Sequence, residues 1–238
     1  MQDGLKKKII NANIEYHTKL VDIYDNQPHF LAENKERVKN ILLEHGRQSG
    51  FNFLLDIGCG TGFIIDIAKE YFENIKGIDI TPKMIEKIDC TKNVDVYIAN
   101  SESLPFENNI FNVCTAYAFL HHLLEFKISL KEIYRVLKKG GTLYTDQDPN
   151  LHFWDNGITE RVSKTLNKEK GIPKYITKLA EYHDTLGGIN GDEMEDLLRD
   201  IGFKDIKVIY RWFVPIENKQ GEENRKSNMK YIRVEARK

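Results

Sequence analysis

Residues 54–62 read LLDIGCGTG, a glycine-rich turn that directly follows a short apolar run. Because glycine has no Cβ, such a turn adopts backbone conformations that other residues avoid and lets a ligand approach the main chain. The apolar residues 53–57 predict a strand, and the apolar spacing over residues 61–72 predicts a helix. The turn therefore lies at the carboxyl end of a strand, where open parallel sheets bind their ligands.

Short apolar runs and amphipathic segments alternate along the chain, which is typical of a parallel sheet covered by helices. Five strands are expected at residues 53–57, 74–79, 94–99, 113–117 and 142–146. Thr81-Pro82 predicts the start of a helix that continues to about Asp89, and Gly140-Gly141 is expected to stop the helix before the fifth strand. The fold class expected is α/β, a Rossmann-like sheet of seven mostly parallel strands with helices on both faces.

The C-terminal part predicts one more helix and an antiparallel strand pair. Asn190-Gly191-Asp192-Glu193 resembles a capping box and opens a helix that ends at Gly202. Residues 206–212 and 231–236 then predict the two strands. The stretch from Gln147 to Asn190 interrupts the alternation and suggests an inserted helical cover.

Composition limits the classes of partner. The chain has 35 basic and 36 acidic residues, so no nucleic-acid partner is expected from its net charge. Its three cysteines show no CxxC spacing, so we expect neither a disulfide framework nor a metal site. No apolar stretch is long enough for a signal peptide or a membrane span, and we expect a cytoplasmic protein without membrane contact.

The glycine spacing distinguishes between cofactors. A dinucleotide fingerprint is G-x-G-x-x-G, whereas this turn reads G-x-G-x-G with Phe63 in the sixth position, which disfavours NAD. From Leu54 to about Asp146 the chain resembles the class I S-adenosylmethionine (SAM)-dependent methyltransferases, in particular the small-molecule and quinone-biosynthesis branch. The matching segments are residues 54–62, 77–84, 104–106, 120–122 and 135–141.

This resemblance implies SAM as cofactor and S-adenosylhomocysteine (SAH) as product, bound by one domain over residues 1–238. Its parts are expected to be N-terminal helices (1–50), a SAM-binding core (51–146), a helical insertion or cover (147–190) and a C-terminal helix with a strand pair (191–238). The implied cofactor residues are Asp56, Gly58, Cys59, Gly60, Asp79, Ile80, Asn100, Ser101, Glu102 and Tyr117.

Individual roles follow from the resemblance. Asp79 is expected to accept hydrogen bonds from the ribose hydroxyls, because a carboxylate has two acceptor oxygens. Asp56 is expected either to brace the loop or to face the amino-acid end of SAM. Asn100 and Asn112 stand where the family often has Asp, and loss of charge at Asn100 would weaken adenine binding severalfold, by on the order of 1 kcal/mol.

Methyl transfer from a sulfonium is an in-line displacement in which the protein mainly aligns the reactants. An acceptor that must lose a proton needs a base, and His121, after the fourth strand, is our candidate. A capping or packing role is the alternative. The residues expected to line the pocket of a small-molecule acceptor, with core packing as their alternative, are Tyr16, Tyr24, His122, His152, Trp154 and Tyr182.

Three other functions stay open at this point. A non-catalytic SAM-binding protein is suggested by Asn100 and Asn112. A nucleic-acid methyltransferase is opposed by residues 116–119, which read AYAF and lack the Asp/Asn-Pro-Pro-Tyr/Phe signature of base methylation. A dehydrogenase is opposed by the glycine spacing. The sequence does not indicate the acceptor, the atom methylated or the oligomeric state.

Overall fold

A computed structural model of the chain describes residues 2–27, 30, 32–91, 93–151, 188–211 and 231–238. In these residues the helices are α1 (Gln2–Leu20), α2 (Ala32–Ser49), α3 (Phe63–Ala68), α4 (Pro82–Ile85), α5 (Phe126–Val136) and α6 (Gly191–Ile201). The strands are β1 (Phe53–Ile57), β2 (Asn74–Asp79), β3 (Val94–Ile98), β4 (Phe111–Tyr117), β5 (Leu137–Pro149), β6 (Lys204–Arg211) and β7 (Tyr231–Arg237).

All seven strands join one sheet in the order β3-β2-β1-β4-β5-β7-β6. Strands β1 to β5 pair in parallel, while β7 runs antiparallel to both β5 and β6. The strand order reverses between β1 and β4, which opens a crevice at their carboxyl ends. The predicted fold class and the predicted antiparallel pair are confirmed.

The central strands are buried on both faces because helices cover each side of the sheet. Leu54 packs into a core that includes Val38 and Leu42 of α2 and the isoleucines of α3. Leu55 faces the opposite core, which α5 and α6 complete. This two-sided burial explains why β1 reads as a continuous apolar run.

Gly140-Gly141 does not stop a helix, contrary to the prediction. Helix α5 already ends at Val136, and β5 continues through both glycines. A Cβ on Gly141 would lie 3.0 Å from the carbonyl oxygen of Phe111, so glycine is required here by the close approach of β4. The predicted helix at residues 81–89 is likewise shorter, a single turn from Pro82 to Ile85.

Helix α6 begins after Asn190 and ends at Gly202 as predicted, although its cap differs from the reciprocal bonds of a capping box. The side chain of Asn190 accepts a hydrogen bond from the main chain of Asp192 and donates one to Glu193, and Gly202 ends the helix with φ +116°. Most of the predicted cover, including His152, Trp154 and Tyr182, lies outside the described residues. No helix in the described part of the chain is long and apolar enough to cross a bilayer.

Candidate active site

A cavity of about 830 Å³, open to solvent, lies at the carboxyl ends of the parallel strands. Its walls come from the glycine turn, the ends of β2 and β3, the segment after β4, and one face of α1. The predicted site residues on its wall are Gly58, Gly60, Asp79, Ile80, Asn100, Ser101, Glu102, Tyr24 and His122. Residues far apart in sequence thus meet where the strand order reverses.

The glycine turn is held in a backbone conformation that favours glycine. Gly58, Gly60 and Gly62 have φ angles of +68°, +53° and +98°. A Cβ on Gly58 would lie 2.1 Å from the ring of Phe119, which also lines the cavity. The turn therefore presents bare main chain to the cavity because no larger residue fits.

Asp79 ends β2, and two main-chain groups fix its carboxylate. Gly60 N–H donates to Oδ2 at 3.0 Å, and Thr81 N–H donates to Oδ1 at 2.8 Å. Each oxygen retains acceptor capacity, because a carboxylate offers about four lone-pair sites. These two hydrogen bonds fix the orientation of Asp79 between the glycine turn and α4 before any ligand binds.

The segment after β3 closes one end of the cavity. Asn100 Oδ1 accepts from the main-chain N–H of Glu102 at 3.0 Å, and the hydroxyls of Ser101 and Ser129 share a hydrogen bond of 2.7 Å. Asn112 lies elsewhere, near the start of β4, where its Oδ1 accepts from Phe53 N–H. Its amide therefore fastens the opposite end of the strands and does not reach the cavity.

Asp56 and Cys59 line a second, smaller cavity of about 270 Å³ together with Tyr117. Asp56 is buried, and Thr115 Oγ1 donates to its Oδ1 at 2.7 Å. Burial raises the pKa of Asp56 to about 7, against the effect of that hydrogen bond. Burial also raises the pKa of the Cys59 thiol, so the thiol stays protonated and is a poor nucleophile.

Helix α1, on which Tyr16 was expected to line the acceptor pocket, supplies a cavity wall through other residues. Ile9, Asn13 and His17 lie four residues apart and share one helix face on the cavity. The spacing was visible in the sequence, but two of the three residues are polar, so the face does not read as a core. Lys6 forms an ion pair with Glu102 and fastens α1 across the opening.

Three histidines lie together beside the cavity. The ring centroids of His17 and His122 are 5.2 Å apart, and those of His122 and His121 are 4.0 Å apart. His17 and His122 are on the cavity wall, whereas His121 lies behind them and contacts Asp148 through Nδ1 at 2.8 Å. Burial lowers the pKa of His17, whose Nδ1 lies 2.8 Å from the carbonyl of Asn13.

Tyr16 is not on the cavity wall, and its ring packs edge-on against His17 at 5.1 Å between centroids. Tyr24 lies in the turn after α1 and lines both cavities. Among the described residues, no group of three or more His, Cys, Asp or Glu side chains is arranged to hold a metal ion.

In a comparison with known proteins, a family model described as "Methyltransferase domain" matches residues 55–145, which include the glycine turn, Asp79 and the segments after β3 and β4. The chain is 32% identical over 171 residues to an uncharacterized protein of Methanocaldococcus jannaschii, an alignment that covers 68% of this chain and 70% of that protein. It is 28% identical over 175 residues to a demethylmenaquinone methyltransferase of Lactobacillus johnsonii, covering 66% and 70%.

The fold is also similar to solved structures. A SAM-dependent methyltransferase from Thermotoga maritima, described as a possible histamine N-methyltransferase, superposes with a TM-score of 0.62 at 18% identity and covers 94% of this chain and 98% of its own. At this identity the likeness concerns the arrangement of strands and helices.

Proposed function

The chain belongs to the family of SAM-dependent methyltransferases, and on this premise we propose that it transfers the methyl group of SAM directly to a small-molecule acceptor. The observation that carries the proposal is the cavity at the carboxyl ends of the strands. There the glycine turn, Asp79 and α1 face one another across a space of about 830 Å³. A concave space lined by several strand ends and one helix suits a cofactor with a small acceptor better than a polymer.

The residues present fit SAM as the cofactor. Asp79 offers pre-oriented carboxylate oxygens to a ribose diol, and the bare main chain of the glycine turn admits a ligand closely. At the second cavity the carboxyl group of Asp56 suits the ammonium of the amino-acid end. We place the adenine at the end of the cavity that the segment after β3 closes. The amide of Asn100 lies on the cavity wall there.

When bound, SAM supplies an electrophilic methyl group on a sulfonium, which a nucleophilic atom of the acceptor displaces. The contribution of the chain is alignment and exclusion of water, and proximity of this kind can supply roughly 7 to 11 kcal/mol. Helix α1 lies over the cavity through the Lys6–Glu102 ion pair and a contact of 3.5 Å from Asn13 Nδ2 to the carbonyl of His122. We assign to α1 the role of covering the reactants.

For an acceptor that must lose a proton, we propose His121 as the base. The buried carboxylate of Asp148 orients its imidazole and would stabilise the imidazolium formed on proton uptake. His17 is the second candidate, because it lines the cavity and its lowered pKa keeps it neutral near pH 7. Tyr24 and His122 remain proposed acceptor contacts, as do His152, Trp154 and Tyr182, whereas Tyr16 packs behind His17 and does not reach the cavity.

The test has two stages. SAH should raise the melting temperature of the purified protein and NAD should not, because a ligand that binds only the folded state stabilises it. Labelled SAM should then yield a labelled product with one member of a panel of phenols, quinols, amines and carboxylic acids. Stabilisation by SAH without transfer to any acceptor would favour a SAM-binding protein, and stabilisation by NAD alone would contradict the proposal.

A further inference from the structure

Two partly buried arginines and one buried aspartate form a charged group beside the active site. Arg37 lies on α2, Asp146 on β5 and Arg211 at the end of β6. In the sheet register Asp146 pairs with Tyr117, the last residue of β4, whose side chain helps to line the smaller cavity. The charged group therefore lies at the same edge of the sheet as the glycine turn, at the ends of the neighbouring strands.

Asp146 is already saturated with donors. Its Oδ2 accepts from Tyr144 Oη at 2.8 Å and from Arg37 Nη1 at 2.7 Å. Its Oδ1 accepts from the main-chain N–H of Gln147 at 2.8 Å and lies 3.4 Å from Arg211 Nε. One carboxylate thus faces two guanidinium groups, and the three side chains carry a net charge of +1.

Several guanidinium N–H groups of the two arginines have no hydrogen-bond acceptor among the described residues. Arg37 Nη2 and both Nε and Nη2 of Arg211 are buried and make no hydrogen bond within the described part of the chain. Buried donors nearly always have a partner, and an uncompensated buried cation is costly. Burial lowers the pKa of Arg211 and the charge of Arg37 lowers it further, whereas Asp146, acting against burial, raises the pKa of Arg37. The shared carboxylate therefore pairs mainly with Arg37, and the shortage of negative charge falls on Arg211.

We propose that Arg37 and Arg211 bind an anionic oxygen group, a carboxylate or a phosphate, carried by the methyl acceptor. The proposal rests on the proposed function for the identity of the ligand as the acceptor. Guanidinium groups present paired donors in a planar fork that matches the oxygens of carboxylates and phosphates. The anion supplies both the missing negative charge and the missing acceptors.

A purely structural triad that fastens α2 and β6 to the sheet is the competing explanation, and inorganic phosphate distinguishes the two. At constant ionic strength, phosphate should raise the melting temperature of the wild-type protein relative to chloride. Arg211→Gln should weaken the apparent phosphate affinity about tenfold or more, because charged hydrogen bonds are lost. Arg199→Gln is the matched control, since that exposed guanidinium pairs only with Glu195 and Asp196 among the described residues.

Two further variants separate binding from folding. Asp146→Asn removes the internal competitor and should increase the phosphate effect, whereas a structural triad would only lose stability. Arg211→Lys keeps the charge without the fork and should bind phosphate with intermediate affinity. No stabilisation of the wild type by phosphate, or equal stabilisation of wild type and Arg211→Gln, would overturn the site.

A separate experiment tests whether the anion that binds Arg37 and Arg211 belongs to the methyl acceptor, independently of cofactor binding. SAH binding should be unchanged in Arg211→Gln, and failure of SAH to bind the wild type would refute the proposed function without touching the phosphate result. Labelled SAM is then offered with carboxylic acids and with their primary amides. Transfer to acids alone, with KM raised in Arg211→Gln, supports the proposal, and equal transfer to the amides overturns its acceptor part.

Discussion

His121 donates twice to one oxygen of Asp148: Nδ1 and the main-chain nitrogen of His121 lie 2.8 and 3.1 Å from Oδ1 of the buried carboxylate. Because a carboxylate only accepts, this contact places the imidazole proton on Nδ1 and leaves Nε2 as the basic nitrogen. The two residues are 27 positions apart, on the segment after β4 and the end of β5. Sheet pairing therefore orients the imidazole through a residue that sequence spacing does not connect to it.

The first prediction concerns His121 as the base. On an acceptor that must lose a proton, His121→Gln should reduce turnover about a hundredfold or more, because glutamine cannot accept a proton near neutral pH. Steady-state rates with labelled SAM give the turnover, and calorimetry should find SAH affinity nearly unchanged.

Asp148→Asn tests the orienting contact separately. Without the carboxylate the imidazole of His121 loses its fixed orientation, so turnover should fall while SAH affinity stays nearly unchanged. His17→Gln and His122→Gln are compared with His121→Gln, because both residues lie on the cavity wall and have proposed roles of their own. A wild-type rate in His121→Gln together with an inactive His17→Gln would transfer the role of base to α1.

The second prediction concerns Asp79. Asp79→Asn should weaken SAH binding by about 1.5 to 3 kcal/mol, roughly tenfold to a hundredfold, because the ribose hydroxyls lose a charged acceptor. Calorimetric titration with SAH measures the loss. Asp66→Asn on α3 is the control, since Asp66 is exposed and pairs with Lys69 away from the cavity. Equal SAH affinities for Asp79→Asn and wild type would mean that Asp79 does not bind the ribose. Its role would then be to hold the main chain of Gly60 and Thr81.

The sheet and the glycine turn were predictable because their signals are local. The run at residues 53–57 is buried on both faces, so its apolar composition marks a central strand directly. The positive φ angles of Gly58, Gly60 and Gly62 require the residue type that the sequence shows. Asp79 follows at the end of β2 and reaches the same crevice because parallel strands end at one edge.

The remaining part of the site depends on contacts between distant residues. The ion pair of Lys6 and Glu102 joins residues 96 positions apart, and no periodicity within α1 indicates it. Gly140 and Gly141 misled the prediction for a similar reason, since their role is set by the neighbouring strand and not by the preceding helix. His121 was expected to be the base and His122 an acceptor contact, yet only His122 of the two lies on the cavity wall.

The third prediction is that α1 opens and closes over the cavity. Its fastening includes the Lys6–Glu102 ion pair, and an ion pair of this partly exposed kind contributes about 1 kcal/mol or less. Amide hydrogens of α1 should therefore exchange faster than those of β1, β4 and β5, and should slow when SAH binds. Mass-spectrometric hydrogen exchange measures both effects, with α6 as an internal control that SAH should not change. Slow exchange of α1 in the free protein would count against a moving cover.

The fourth prediction is a pH dependence set by Asp56. Burial raises its pKa to about 7 from 3.8, so the folded protein holds this proton more tightly than the unfolded chain does. Stability from this group is present below about pH 4 and is lost as the pH rises to about 7. Asp56→Asn carries no such proton, so its free energy of unfolding should exceed that of the wild type at pH 8, by at most about 4 kcal/mol, and approach it near pH 4. Denaturant unfolding at a series of pH values measures this difference.

Cofactor binding should favour the ionised form of Asp56, whereas folding stability is greatest with the protonated form. If the ionised carboxylate of Asp56 holds the ammonium of SAH, binding near pH 6 must expel the proton, and the affinity of the wild type should rise between pH 6 and pH 8. Calorimetry in buffers of different ionisation enthalpy detects the released proton directly. Asp56→Asn should bind SAH more weakly at pH 8 and release no proton, although its side chain still accepts from Thr115. A variant that gains stability at pH 8 and binds SAH as tightly as the wild type would show that Asp56 only braces the glycine turn.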